Sequence, residues 1–402
     1  MPTFPTLSDA PVAGRRVFVR VDLNVPIKEG VIRDDTRIRA AVPTLQELLD
    51  RGCTLVLATH LGRPKGPPAP GDDSARLGPV AKRLSELLDR EVRYLATDGP
   101  GTPEQQAFVA DAPEGSVTLL ENTRFDPRET KNDPALARVF AGYAEAYVND
   151  AFGSAHRAHA STEGVARLLP SAAGRLMERE LSVLGKLLEA PERPFVVVLG
   201  GAKVSDKIAV IERLLEIADA LIVGGAMAFT FVKAQGGSVG DSLVEDDRLD
   251  LARALLAKAE ERGVPLVLPA DAVCAAEIVP GAETSVHPAG AIPDGLKGLD
   301  AGPEAISAFR DALAGAATVL WNGPLGVFEV PPFDAGTNAI AEAVASSGAM
   351  SVIGGGDSVS AIKKAGLADR VDHVSTGGGA SLEFLEGKTL PGVAVLGHLP
   401  WA

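Results

Sequence analysis

The sequence predicts an α/β protein of two lobes, each a doubly wound parallel sheet, joined by an interdomain helix. Three observations carry this. Short β-branched runs alternate with helical patterns along the whole chain, as βαβ units do. Several of these runs end in glycine-rich turns that open the next helix. At mid-chain the helical stretch MERELSVLGKLLEA closes with PERP, whose prolines end it before a new strand begins. Both halves are therefore read as Rossmann-like.

Length agrees, since 402 residues exceed one ordinary core and fit two domains of about 150–200 residues each. The first lobe is placed at 1–176, the helix at 177–190 and the second lobe at 191–388. Strands are expected at 17–21, 54–59, 91–95, 117–120 and 146–149 in the first lobe. In the second they are expected at 195–199, 220–223, 265–268, 318–321, 351–353 and 371–374. In parallel sheets ligands sit beyond the carboxyl ends of the strands, so the residues just after each run carry the functional argument.

The formal charge of −14 makes nucleic acid a poor partner, because that affinity depends on neutralising phosphates. Any small anion must then be held by a local cluster of cations working against the overall field. Cys53 and Cys274 lie in separate segments without zinc spacing and read as buried apolar groups rather than a disulfide. The N-terminal residues lack the pattern of a signal peptide, and no run approaches about 18 apolar residues, so a cytoplasmic protein is expected.

Four turns of the second lobe point to phosphate. In FVVVLGGAKVSDK a buried strand meets Gly200 and Gly201, with a helix expected from about Val204 that would carry Lys203 and Lys207 on one face. In SVIGGGDS, Asp357 stands at a helix start, where it reads equally as an N-cap or as an oxygen ligand for magnesium. VSTGGGAS and WNGPLG repeat the strand–glycine design. No Walker A loop is present, since Leu382 occupies the glycine position required before Gly387–Lys388–Thr389. The absence of GxGxxG counts against a dinucleotide-binding dehydrogenase. The acidic stretch 245–250 reads as a solvated helix start.

The first lobe offers arginines instead. RVDLNVP places Arg20, Asp22 and Asn24 at a strand end, and DDTRIR adds Arg37 and Arg39. HLGRP brings His60 and Arg63, LLENTRF brings Arg124, and NDAFGSAHRAHAS brings Arg157 between His156 and His159. Guanidinium forks after several parallel strands would converge on carboxylate or phosphate. The HxxH pair lacks a nearby third ligand and is not read as a metal site.

At these residues the chain closely resembles the phosphoglycerate kinase family, from Val17 to Leu396. RVDLNVP, ATHLGRP, LLENTRF, VNDAFGSAHRAH, LGGAKVSDK, WNGPLGVFE, GGGDS and STGGGAS occur in that family's order. The resemblance implies reversible phosphoryl transfer between 1,3-bisphosphoglycerate with ADP and 3-phosphoglycerate with ATP, using Mg2+ and lobe closure. It implies that Asp22 and Asn24 meet the acid's hydroxyl side, and that Arg37, His60, Arg63, Arg124 and Arg157 meet its charged groups. Lys203 would reach the transferred phosphoryl group and Lys207 the nucleotide phosphates. Asp357 would hold magnesium beside Gly356 and Ser358, with Asn322 near the phosphates and Glu329 on the ribose. Gly201, Ala202, Gly225, Leu243, Gly298, Leu299, Pro324 and Val327 would line the nucleoside pocket, and Gly377 and Gly378 would donate N–H groups to the moving phosphoryl. The family also suggests a monomer whose residues 389–402 return to the first lobe. This chain has Ser358 where the family usually has threonine, and no aromatic side chain for the adenine is placed near 283–287.

The acceptor implied is a carboxylate, already ionised near pH 7, so no general base is needed. Catalysis then rests on positioning and on neutralising charge over the equatorial oxygens, with Arg37, Lys203, magnesium and the Gly377–Gly378 amides as donors.

Overall fold

The computed structural model describes residues 4–401 and divides into two compact units. The first comprises the described residues up to Ser182 together with those from Thr389 onward, and the second runs from Val183 to Lys388.

Six strands form the first unit's sheet: β1 (Arg16–Val21), β2 (Thr54–Ala58), β3 (Val92–Tyr94), β4 (Val117–Leu119), β5 (Ala146–Asp150) and β6 (Ser171–Ala173). They pair in the order β3-β4-β2-β1-β5-β6, every pair parallel. β1, β2, β4 and β5 are almost wholly buried, as strands covered on both faces require. The chain winds outward from β1 to one side and later resumes at β5 on the other. The crevice for ligands therefore opens beyond the ends of β1 and β5.

The second unit repeats the plan with β7 (Phe195–Leu199), β8 (Ala220–Val223), β9 (Leu266–Val267), β10 (Thr318–Asn322), β11 (Met350–Gly354) and β12 (His373–Val374). The order β9-β8-β7-β10-β11-β12 is again parallel throughout and reverses between β7 and β10. Apart from these sheets, Asp271–Ala275 pairs antiparallel with Ser285–Pro288 and with Lys297–Ala301. No sequence pattern had marked this small sheet, nor β6, nor the Ile27–Lys28/Val31–Ile32 hairpin.

The mid-chain helix spans Arg175–Glu189. Its start is held from within the first unit: Asp150 Oδ1 accepts the N–H groups of Leu176 at 2.9 Å and Met177 at 3.3 Å. A Cβ on Gly174 would lie 2.2 Å from that same oxygen, so glycine makes room for the cap. Both cysteines are buried and free.

Candidate functional site

In the first unit the residues after β1, β2, β4 and β5 gather into a cationic cluster. Arg37, on the helix Thr36–Asp50, places Nη1 2.9 Å from Asp22 Oδ2. Burial opposes ionisation of Asp22, yet Arg37, His60 and Arg20 outweigh it and hold the carboxyl below its usual range. Asn24 Oδ1 accepts the Gly62 N–H at 2.9 Å, tying the β1 end to the HLGRP turn. His60 is buried, with its pKa pushed down to about 3 by burial and by Arg20, Arg124 and Arg37, against the pull of Asp22. It is a neutral imidazole at pH 7.

Arg124 leaves the 3-10 turn Thr123–Phe125 and donates through Nη1 to Gly62 O at 2.8 Å. Its buried Nε finds no partner among the described residues. Burial comes first in weakening its proton affinity, followed by the positive charges of Arg157, Arg20 and Arg63. Arg157 Nε lies 3.0 Å from His156 Nε2. Arg39 instead pairs with Asp35 on the exposed side of its helix and stays out of the cluster. His159 is driven down to about 4, first by burial and then by Arg20, Arg124, Arg157 and His156. No group of three or more potential metal-binding side chains occurs among the described residues.

Sequence reasoning noted Arg20 only as a strand-end cation. It is 1% exposed and reaches under the cluster. Asn122 was missed altogether. Its amide accepts from Leu61 N and Arg124 N and donates to Leu61 O and Ala75 O, so it fixes both arginine-bearing turns. The Asn inside LLENTRF, just after a buried strand, was the available signal.

In the second unit the glycine turns interlock. A Cβ on Gly200 would meet Pro324 O at 2.0 Å, and one on Gly225 would meet Gly201 N and O at 2.7 Å, at a φ of +68° that itself favours glycine. Gly201 N–H donates to Pro324 O, and Gly201 O accepts from Met227. Beside them lies a cavity of about 450 Å3. Gly201, Ala202, Gly225, Leu243, Gly298, Leu299, Pro324, Val327, Glu329 and Asp357 all line it. So does Phe229, on the helix Met227–Ala234. Its ring comes from a segment well before 283–287 and packs where a Cβ on Gly298 would sit.

Two local expectations are corrected. The helix after β7 begins at Ile208, not near Val204, so Lys203 and Lys207 do not share a helical face. Lys203 stands exposed on the preceding loop, whereas Lys207 Nζ turns inward to Asn322 O and Oδ1, both at 2.7 Å. Asp357 is not an N-cap: Gly355 caps the helix Gly356–Lys364, and Asp357 lies in its first turn with its side chain exposed. The loop bearing Lys203 is clamped by Glu245, which accepts from Ser205 N at 3.0 Å and from Ser205 Oγ. Residue 245 thus does more than start a solvated helix.

Ser358 is buried and its Oγ accepts the Gly323 N–H, joining the GGGDS and WNGPLG turns. Gly377 N–H donates to Ser375 Oγ at 3.1 Å, and Gly378, at φ +52°, precedes the helix Gly379–Leu385. The exposed Asp357 carboxylate, in the first turn of the helix that follows Gly355, fits Mg2+, which takes few protein ligands and completes its shell with phosphate and water.

A cationic crevice on one parallel sheet and a glycine-lined cavity on another define an α/β phosphotransferase of two such units. The chain belongs to the phosphoglycerate kinase family, whose profile matches residues 7–388. It is 58% identical over 392 residues to phosphoglycerate kinase of Thermus thermophilus, covering 97% of this chain and 99% of that protein. Identity to the Roseiflexus castenholzii enzyme is 55% over 391 residues, 97% of this chain and 98% of that one. The phosphoglycerate kinase structure from Coxiella burnetii superposes with a TM-score of 0.88 at 41% identity, covering 98% of this chain and 99% of that one. The chain is accordingly a kinase whose acceptor is a carboxyl group, and phosphoryl transfer in glycolysis is what its family does.

Proposed function

We propose that the first unit, with residues 389–402 joined to it, binds 3-phosphoglycerate and that the second, at 191–388, binds Mg-ATP or Mg-ADP. The observation that supports this best is Arg124, a half-buried cation crowded by Arg157, Arg20 and Arg63, with a buried Nε lacking a partner among the described residues. Such crowding is unfavourable until an anion enters. Arg37, Arg63, Arg124 and Arg157 take the acid's carboxylate and phosphate, His60 adds a neutral donor, and Asp22 and Asn24 take the hydroxyl side.

The nucleoside lies in the cavity against Phe229, with Glu329 on the ribose. Asp357 would hold magnesium, which when bound would neutralise phosphate charge. Lys207 and Asn322 meet the nucleotide phosphates, while Lys203 and the Gly377–Gly378 backbone meet the transferred group. Gly377 must exchange its bond to Ser375 for that contact. In-line transfer needs both ligands in one water-free site, so closure accompanies the reaction. The reading includes a monomeric, cytoplasmic enzyme, and no described helix is long and apolar enough to cross a membrane.

A coupled assay with ATP and 3-phosphoglycerate tests the reaction. Lys203→Ala is expected to lower kcat with a loss of about 3–4 kcal/mol, and unchanged turnover would refute the role given to Lys203.

A further inference from the structure

Arg20 is a fully buried cation, and all its contacts leave it as donor. Nε donates to Ser161 Oγ at 2.8 Å, Nη1 to Val21 O, and Nη2 reaches His60 Nδ1 at 3.2 Å and Ser154 Oγ at 3.5 Å. A guanidinium has no acceptor atom, so His60 Nδ1 must be the acceptor, and the imidazole proton must sit on Nε2. Behind Arg20 the direction continues: Ser161 Oγ donates to Glu129 Oε1, and Ser161 N donates to Glu129 Oε2 at 3.0 Å. Glu129 and Ser161 are both 0% exposed. Four segments far apart in sequence thus form one hydrogen-bonded line whose donors run both ways from Arg20, outward to His60 and inward through Ser161 to Glu129.

We propose that Ser161, bonded to Glu129, is a positioning residue that aims Arg20 at His60 Nδ1 and so presents His60 Nε2–H as a donor to the acid. Its consequence for catalysis rests on the acid-binding role proposed above for His60. Without the Ser161 hydroxyl, Arg20 Nε loses its partner, and the guanidinium is drawn toward Glu129 Oε1, the oxygen that the hydroxyl had served, and off His60. A buried charged group tolerates no unpaired donor cheaply, so the shift is favoured over staying in place.

Nitrogen-15 NMR of the ligand-free full chain at pH 7, labelled at histidine and assigned with His60→Gln, reads the tautomer directly. The expected spectrum shows an unprotonated Nδ1 and a protonated Nε2 for His60. A protonated Nδ1, or an imidazolium, overturns the proposal whatever the variants do. In Ser161→Ala the two nitrogen signals should move toward an average, and KM for 3-phosphoglycerate should rise about tenfold, with kcat and nucleotide KM unchanged. Ser161→Thr, which keeps the hydroxyl, should restore both. A Ser161→Ala protein that binds nucleotide normally and keeps both the His60 signature and the acid KM overturns the proposal. If His60→Gln leaves acid affinity intact while the tautomer is as expected, the relay stands and the acid-site reading of His60 fails.

Discussion

The Lys207 ammonium lies 2.7 Å from two oxygens of one residue, the main-chain carbonyl and Oδ1 of Asn322. Both are neutral acceptors, so they replace water only in part. Burial consequently pushes Lys207 down to about 8, with Asp357 and Asp206 opposing.

A pH profile follows from that. As pH rises through about 8 the free enzyme loses the Lys207 charge, and KM for Mg-ADP should increase over the same interval. Lys207→Arg keeps its charge throughout and should flatten this rise. Steady-state kinetics between pH 7 and about 9.5 check it, and a nucleotide KM equally flat in the parent enzyme would be incompatible with Lys207 meeting phosphate.

Arg124 gives a prediction on affinity. Arg124→Gln removes a charged donor and should weaken 3-phosphoglycerate binding about 10- to 100-fold. Saturating acid raises the unfolding midpoint of the parent by mass action and should leave the variant nearly unshifted. Equal shifts in a thermal scan would remove Arg124 from the acid site.

Gly298 separates the two units experimentally. In Gly298→Ala the new methyl would fall 2.2 Å from Phe229 Cζ, so the ring must leave its place beside the cavity. Mg-ADP affinity measured by titration calorimetry should drop at least about tenfold, whereas 3-phosphoglycerate affinity, housed in the other unit, should not change.

Asp150 links stability to pH. Burial pushes its carboxyl up to about 7, although Thr44 and the Met177 and Leu176 N–H groups pull the other way. The folded protein therefore keeps a proton that the unfolded chain releases near pH 4. This contribution to stability is fully present below about pH 4 and is lost as pH rises through about 7. Asp150→Asn should abolish that component. The parent-minus-variant difference in urea unfolding should fall between those limits and level off above them; a constant difference would contradict it.

Most of the framework was legible because β1, β2, β5, β7, β10 and β11 are buried on both faces and read as short, mainly apolar runs. The strand-end motifs followed, since a parallel sheet gathers whatever succeeds its strands. The 271–301 sheet escaped because DAVCA, SVHP and KGLDA are short and mix small, polar and apolar residues without alternation. The late helix start at Ile208 escaped because the preceding loop is held by Glu245, about forty residues away, which spacing alone does not reveal. Phe229 escaped for a related reason: its place is defined by the missing side chain of Gly298, a contact between distant segments. Ser161, Glu129 and Arg20 likewise look like unrelated polar residues until the fold brings them to one line.

The segment from Thr389 onward, which includes the short helix Pro391–Ala394, packs into the first unit, where Asn149 Nδ2 donates to Gly392 O at 3.0 Å and Gly392 N–H to Ala155 O at 2.9 Å. Leu390, Val393, Val395 and Leu396 are buried there. On the ribosome, however, these residues emerge only after the entire second unit. At about 5–20 residues per second the first unit must wait some 10–40 seconds for its last apolar cover. During that interval the second unit is itself still being synthesised, so the first unit, though made earlier, completes its core no sooner than the second.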